Sequence, residues 1–366
     1  CITNGKMKAV QTMTDLEKLC SRVTEAADCA VITDDVNRRY FTAMKSSAGT
    51  LLVFPEKAYF IIDFRYIEKA KKTVTACEVI LQDKLYEQIN SLIEKHGAKT
   101  VSVNADTCTL SELIAYQQKL NAEVIADTKL AEIIREIRTV KSQEQIDKII
   151  KAQRIAEKGF AHMLDFINVG RTEKEIQLEL DYYMLKNGAE ALSFDTIALS
   201  GSNTSLPHGV PSDKKVESGE FVLMDFGATY DGWHSDMTRT VCVGKPSDKM
   251  KSVYETVLNA QLSALDAVKA GMSGKELDKI ARDIITEAGY GDNFGHSLGH
   301  GVGVEIHESP YASPSREDIL PENSIVTVEP GIYLEGKFGV RIEDFVVVTE
   351  NGCINMTKAP KELICL

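Results

Sequence analysis

Val222-Leu223-Met224-Asp225-Phe226-Gly227-Ala228-Thr229-Tyr230-Asp231-Gly232-Trp233-His234-Ser235-Asp236-Met237-Thr238-Arg239-Thr240-Val241-Cys242-Val243 holds two apolar runs around the turn signal Tyr230-Asp231-Gly232. That pattern predicts a β-hairpin. Each run carries one carboxylate in an apolar setting, Asp225 in the first and Asp236 opening the second. With a two-residue turn at Asp231-Gly232, residues whose numbers add to 463 face each other. Asp236 then faces Gly227, diagonally beside Asp225 and on the same face, because side chains alternate with period two. A one-residue bulge would instead set the two Asp directly opposite. Either register puts like charges side by side, which is unfavourable unless a cation joins them.

A second segment repeats the pattern. Ser324-Ile325-Val326-Thr327-Val328-Glu329 is an apolar strand ending in a carboxylate, and Val340-Arg341-Ile342-Glu343-Asp344-Phe345-Val346-Val347-Val348 has one embedded. Glu329 and Glu343 have their midpoint at Gly336, so a hairpin turning in Leu334–Lys337 sets them opposite each other. Five of the seven histidines, His208, His234, His296, His300 and His307, fall in the same part of the chain. His300 lies in the glycine-rich run Gly295–Gly303, where close backbone approach is permitted. Four carboxylates and one imidazole form a hard, oxygen-rich donor set whose charge balances two divalent cations. That set suits Mn²⁺, Co²⁺ or Zn²⁺. Two such ions ~3.5–4 Å apart can share a water and lower its pKa.

The hairpins belong to a longer repeat. Gly170–Glu175 resembles Gly271–Glu276 at an offset of 101 residues, each with a capping box, Thr172…Glu175 and Ser273…Glu276. Each predicted helix closes at a glycine, Gly188 or Gly289, and a further helix precedes each (Gln143–Phe166, Lys249–Ala270). The C-terminal part therefore predicts two copies of helix–helix–hairpin, an α+β arrangement with a site in the crevice between halves. The preceding residues alternate strands (30–33, 49–54, 58–63, 100–103, 123–125) with helices (67–72, 84–96, 111–121), which predicts an α/β domain without chemistry of its own. The charged stretch Ile134–Lys141 reads as the linker, giving domains 1–133 and 134–366.

Composition bounds the function. The chain has 366 residues and a formal net charge of −12. The acidic balance argues against nucleic-acid and anionic-membrane partners. No run approaches the ~20 apolar residues of a membrane span. The eight Cys contain no C-x-x-C pair, which fits reduced thiols in a cytoplasmic protein.

At these residues the sequence resembles the M24 metallopeptidases with the pita-bread fold. The stretches that carry the resemblance are Leu206-Pro207-His208-Gly209, Met224-Asp225-Phe226-Gly227, Ser235–Thr240, Gly299–Gly303, Glu305-Ile306-His307-Glu308, Val328–Gly331 and Arg341–Asp344. Asn37–Thr42 and Ile62–Tyr66 resemble the creatinase/prolidase N-terminal domain. The resemblance implies a dinuclear site in which Asp225 binds one metal, His300 and Glu329 the other, and Asp236 and Glu343 bridge both. It implies that Glu329 shuttles the proton of a metal-bridging hydroxide, and that His208 and His307 stabilise the tetrahedral intermediate and assist the leaving nitrogen. It further implies that His296 lines the substrate pocket and Arg341 braces the carboxylates, and that the chain is a homodimer.

Two-domain members with this pattern are Xaa-Pro aminopeptidases and Xaa-Pro dipeptidases (prolidases), acting on peptides with proline at the second position. Prolidases commonly place an arginine soon after the His-Glu pair. Here Tyr311 follows His307-Glu308-Ser309-Pro310, with Arg316 further on. That departure favours an aminopeptidase accepting longer peptides, with Tyr311 in the substrate pocket, over a dipeptidase. Methionine aminopeptidase lacks the first domain, and creatinase and non-catalytic pita-bread modules lack the full ligand set.

Overall fold

A computed structural model describes residues 13–366; Cys1 lies outside them. The chain divides into two compact units, one ending at Ile137 and the next beginning at Arg138. The first unit is built on a six-stranded mixed sheet in the order Glu78–Leu81, Ala58–Ile62, Thr50–Val53, Cys29–Ile32, Thr100–Val103 and Glu123–Ile125. Its strands feed two cores by simple alternation. Ala30 and Ile32 join Leu51, Val53, Phe60 and Ile62 on one face, with Leu16, Leu19 and Phe41 from covering helices. Cys29 and Val31 join Leu52, Tyr59 and Ile61 on the other, against Ile89, Leu92 and Tyr116. The strands Cys29–Ile32, Thr50–Val53 and Ala58–Ile62 are buried on both faces, which is why they read as nearly continuous apolar runs.

Two features depart from the sequence reading. The supposed linker Ile134–Lys141 is mostly helical, within Lys129–Thr139. Leu130, Ile133, Ile134 and Ile137 recur at three- and four-residue spacing and are buried, while charges occupy the opposite face. Helices Asp15–Arg22 and Asp35–Thr42 are short, and their start signals, the Thr14–Glu17 capping box and the Asp34 cap, are the local evidence for them.

The second unit pairs helices Gln143–Phe166 and Glu173–Lys186 in its first half with Asp248–Ala267 and Gly274–Glu287 in its second. Both predicted capping boxes are formed. The halves also repeat hydrogen bonds that no composition argument requires. Gly170 N donates to Val216 O, and Gly271 N donates to Leu320 O. Gly219 N donates to Val243 O, and Asn323 N donates to Val348 O. Each half ends in a three-stranded antiparallel sheet: Ile197–Ser200, Glu220–Phe226 and Met237–Val243, then Ile325–Val328, Asp344–Thr349 and Gly352–Asn355.

The hairpin registers place the acids. Thr238 pairs with Asp225 and Tyr230 with Trp233, so Asp236 faces Gly227 without a bulge. Gly331 pairs with Arg341 and Val328 with Asp344, so the same register runs through Glu329 and Glu343. Val222, Met224, Phe226, Met237 and Val241 pack with the first helix pair. Period two therefore turns Asp225, Asp236 and Thr238 to the opposite face. In the second half Val326, Val328, Val346 and Val348 pack with the second helix pair, which turns Thr327, Glu329 and Glu343 away from it. Both acid pairs thus point away from their own helices.

Gly299 precedes His300 on a short strand, Gly299–Gly301, and a Cβ there would lie 2.0 Å from the Thr327 carbonyl oxygen. Gly299→Ala is expected to cost ~1–3 kcal/mol through forced backbone displacement. Urea unfolding should show it as a lowered midpoint, and an unchanged midpoint would contradict the close packing.

Candidate metal centre

Asp225, Asp236, His296, His300, His307, Glu329, Arg341 and Glu343 line one cavity of about 470 Å³, together with His208 and Tyr311. The tightest group is Asp236, His300 and Glu343, whose ligand atoms lie within 4.8 Å of one another. His300 Nδ1 sits 3.1 Å from Gly301 O, the contact an Nδ1–H makes, so Nε2 faces the acids. It lies 3.3 Å from Glu329 Oε1 and 3.6 Å from Asp236 Oδ2. The His300 and His307 rings meet edge to face at 4.3 Å.

Three of the four acids, Asp225, Glu329 and Glu343, are braced from outside the cluster. Arg341 donates to Asp225 Oδ2 at 2.6 Å, to the Tyr333 hydroxyl at 2.7 Å and to Thr238 Oγ1 at 3.0 Å. Thr238 Oγ1 donates to Glu343 Oε2 at 2.8 Å. Thr327 Oγ1 donates to Glu329 Oε1 and accepts from His300 N. Tyr333 OH also meets His296 Nε2 at 2.9 Å, which ties the pocket histidine to Arg341. Even so, Asp225 Oδ1 and Glu343 Oε1 are buried without a hydrogen-bond partner. Such orphaned anionic oxygens are costly and call for a cation.

The electrostatics agree. Burial, and then the neighbouring Asp225, pushes the Asp236 carboxyl well above the usual range. Burial and Asp236 do the same to Glu343. Burial also raises Asp225, although Arg341 opposes it. For Glu329 the upward pull of burial is outweighed by the hydrogen bond from His300, leaving it at about 2. His300 is correspondingly held at about 9, against the downward pull of burial. Burial lowers His296, and burial together with His300 lowers His307, so both rings favour the neutral form. Burial raises Tyr333 to about 12, so it stays a neutral donor. Three carboxyls that resist ionising together, with an imidazole among them, are the donor chemistry of a divalent cation site.

The structure brings all ten expected residues to one cavity. His234 lies elsewhere, with Nδ1 near Thr229 Oγ1. Tyr333, Thr238, Thr327 and the lining residues Phe194, Asp195 and Ile197 were not singled out in the sequence. The two threonines carried a usable signal: Thr238 lies two residues from Asp236, and Thr327 two from Glu329, hence on the same faces. Arg316 packs over the Tyr311 ring, 4.2 Å from its centroid, and reaches Asp318 Oδ1 at 3.2 Å.

Residues 147–350 match Metallopeptidase family M24, and residues 16–140 match the Creatinase/Prolidase N-terminal domain. The chain is 40% identical over 352 residues to the Xaa-Pro dipeptidase of Pyrococcus furiosus, covering 95% of this chain and 99% of that protein. Among solved structures, an Xaa-Pro dipeptidase from Bacillus anthracis superposes with a TM-score of 0.92 at 42% identity, covering 96% of this chain and 99% of that one. An X-Pro aminopeptidase from Thermotoga maritima gives 0.87 at 39%, covering 93% and 98%.

A cation must displace the proton shared by His300 and Glu329, so metal binding releases protons. Because His300 holds its proton up to about pH 9, Mn²⁺ affinity is expected to weaken as pH falls through the neutral range. Calorimetry in two buffers of different ionisation enthalpy measures the release, and a value of zero would contradict the competition.

Proposed function

The chain belongs to metallopeptidase family M24, and from that premise we propose that it hydrolyses the Xaa-Pro bond at the N-terminus of peptides. The observation that carries the proposal is the set of acids and histidines lining one cavity, with two carboxylate oxygens buried and unpaired. Asp225, Asp236, His300, Glu329 and Glu343 would hold two divalent cations. Mn²⁺ is the cation we assign, since oxygen donors dominate the set. Bound there, the cations supply Lewis-acid polarisation and acidify a water.

The chain's own residues do the rest. Glu329 would accept a proton from the attacking water and return it to the leaving nitrogen. His307, neutral beside His300, donates a hydrogen bond to oxygen as charge develops there, with His208 on the lining of the same cavity. Arg341 fixes the Asp225 carboxylate, and Thr238 fixes Glu343, so the ligands keep their orientation. The substrate's α-ammonium is attracted by the acidic lining, which favours exopeptidase action. An Xaa-Pro bond has no N–H, so a site that works on the carbonyl side suits it.

A second reading concerns length. Relatives named Xaa-Pro dipeptidase support activity on dipeptides. Arg316, packed on the pocket residue Tyr311, is the cation we assign to a dipeptide's carboxylate. An aminopeptidase relative supports longer substrates.

Removing metal with EDTA is expected to abolish Ala-Pro cleavage, and Mn²⁺ to restore it; full activity after thorough metal removal would refute the mechanism. Asp236→Ala is expected to lower kcat by more than about 100-fold, beyond the loss usual for an outer residue, with the fold retained by circular dichroism. Arg316→Ala should raise KM for Ala-Pro but not for Ala-Pro-Ala. Equal KM effects on the two substrates would remove Arg316 from substrate recognition.

A further inference from the structure

Glu173 is fully buried, in the first turn of helix Glu173–Lys186, and lines no part of the cavity. Its carboxylate grips a loop at both ends. Oε1 accepts from Ser200 N at 2.7 Å, Ser200 Oγ at 3.2 Å and Asn203 Nδ2 at 3.0 Å. Oε2 accepts from Ser212 N at 3.0 Å, Ser212 Oγ at 2.6 Å and Asn203 Nδ2 at 3.2 Å. The enclosed segment carries Leu206-Pro207-His208, and its crest is open: Leu206 is 54% and Val210 83% exposed. Beyond its ends the crest is tied by Arg341 Nη1 to Pro207 O at 3.4 Å, and it would sample more positions if its ends were free.

We propose that Glu173 is a positioning residue for His208, its carboxylate stapling the two ends of the 200–212 loop so that the imidazole is held over the cavity. The proposal deepens the peptidase reading and rests on it, because that reading gives His208 its work. The chemistry requires a carboxylate. Backbone amides at both loop ends need an acceptor, and only an ionised acid offers acceptor oxygens in both directions. An amide at this position turns its NH₂ toward one of those amides and loses that end. The charge is met by neutral donors and by the N-terminus of its own helix, and Glu173 makes no ion pair among the described residues. Closing the loop in advance removes the ordering cost that substrate binding would otherwise carry.

The second half solves the same problem in parallel. Asp278, on helix Gly274–Glu287, accepts from Leu298 N at 2.9 Å and pairs with Arg282. Arg282 in turn donates to Phe294 O and His296 O, both at 2.8 Å. In each half an acid on the second helix therefore bonds backbone of a segment that carries a cavity histidine, at the two ends of the segment in the first half and beside the histidine in the second.

The test is a double-mutant cycle on the Mn²⁺-loaded enzyme with an Xaa-Pro peptide, comparing wild type, Glu173→Gln, His208→Ala and the double variant. Glu173→Gln is expected to lower kcat by about 10–100-fold, the range for residues that orient others, with KM changed little. Mn²⁺ affinity by calorimetry stays unchanged, and amide hydrogen exchange accelerates in residues 201–212. In the His208→Ala background Glu173→Gln adds no further loss. Full activity of Glu173→Gln, or losses that multiply in the double variant, would overturn the proposal. If Glu173→Gln does not fold, Ser212→Ala removes one of its donors and should reproduce a smaller kcat loss that vanishes in the His208→Ala background. Wild-type protein inactive on Xaa-Pro peptides in Mn²⁺ sinks the peptidase reading. Unchanged loop exchange in Glu173→Gln sinks the staple whatever the activity.

Discussion

Mutual repulsion of buried carboxylates is the constraint around which the second unit is arranged. Asp225, Asp236 and Glu343 all sit where burial penalises their charge, and each is made worse by another. Such a cluster persists only if the surrounding fold is stable enough to bear it. The large apolar cores on either side of the hairpins supply that stability. The bracing groups Arg341, Thr238, Thr327 and Tyr333 then limit the conformations the acids can take to relieve the strain.

Duplication explains how the acids meet. A hairpin with one apolar and one polar face buries the first on its helices and must cover the second. Two such hairpins cover each other's polar faces, so acids that each would be a liability become a shared site. The repeated hydrogen bonds at Gly170 and Gly271, and at Gly219 and Asn323, show the duplication at the level of single amides. His300 comes from outside this scheme, on the short strand Gly299–Gly301, where glycine allows the backbone to lie against Thr327.

What the sequence revealed followed from how local each signal is. The registers of both hairpins were legible because a turn and a period of two determine them from one stretch of chain. The acids stood out because a carboxylate inside an apolar run contradicts its surroundings. Tyr333 was illegible, since a tyrosine in a strand contradicts nothing; only its meeting with His296 and Arg341 gives it a role. Glu173 was read as part of a capping-box segment, a sufficient local explanation that concealed its long-range grip on Ser200 and Ser212. The helix Lys129–Thr139 was missed for the converse reason: its charges drew notice, while the apolar stripe beneath them carried the structure.

The departures from two-fold symmetry separate the two halves chemically. Asp225 and Glu329 occupy matching strand ends, yet the first is neutralised by a guanidinium and the second by an imidazole. A guanidinium cannot give up its proton, so it restrains Asp225 without competing for a cation's place. An imidazole can, so His300 is able to exchange its proton for a metal and become a ligand. With His300 taken up as a ligand, Glu329 would lose the partner that holds its charge, whereas Asp225 would keep Arg341; of the two, Glu329 is therefore the one that would be able to take up a proton.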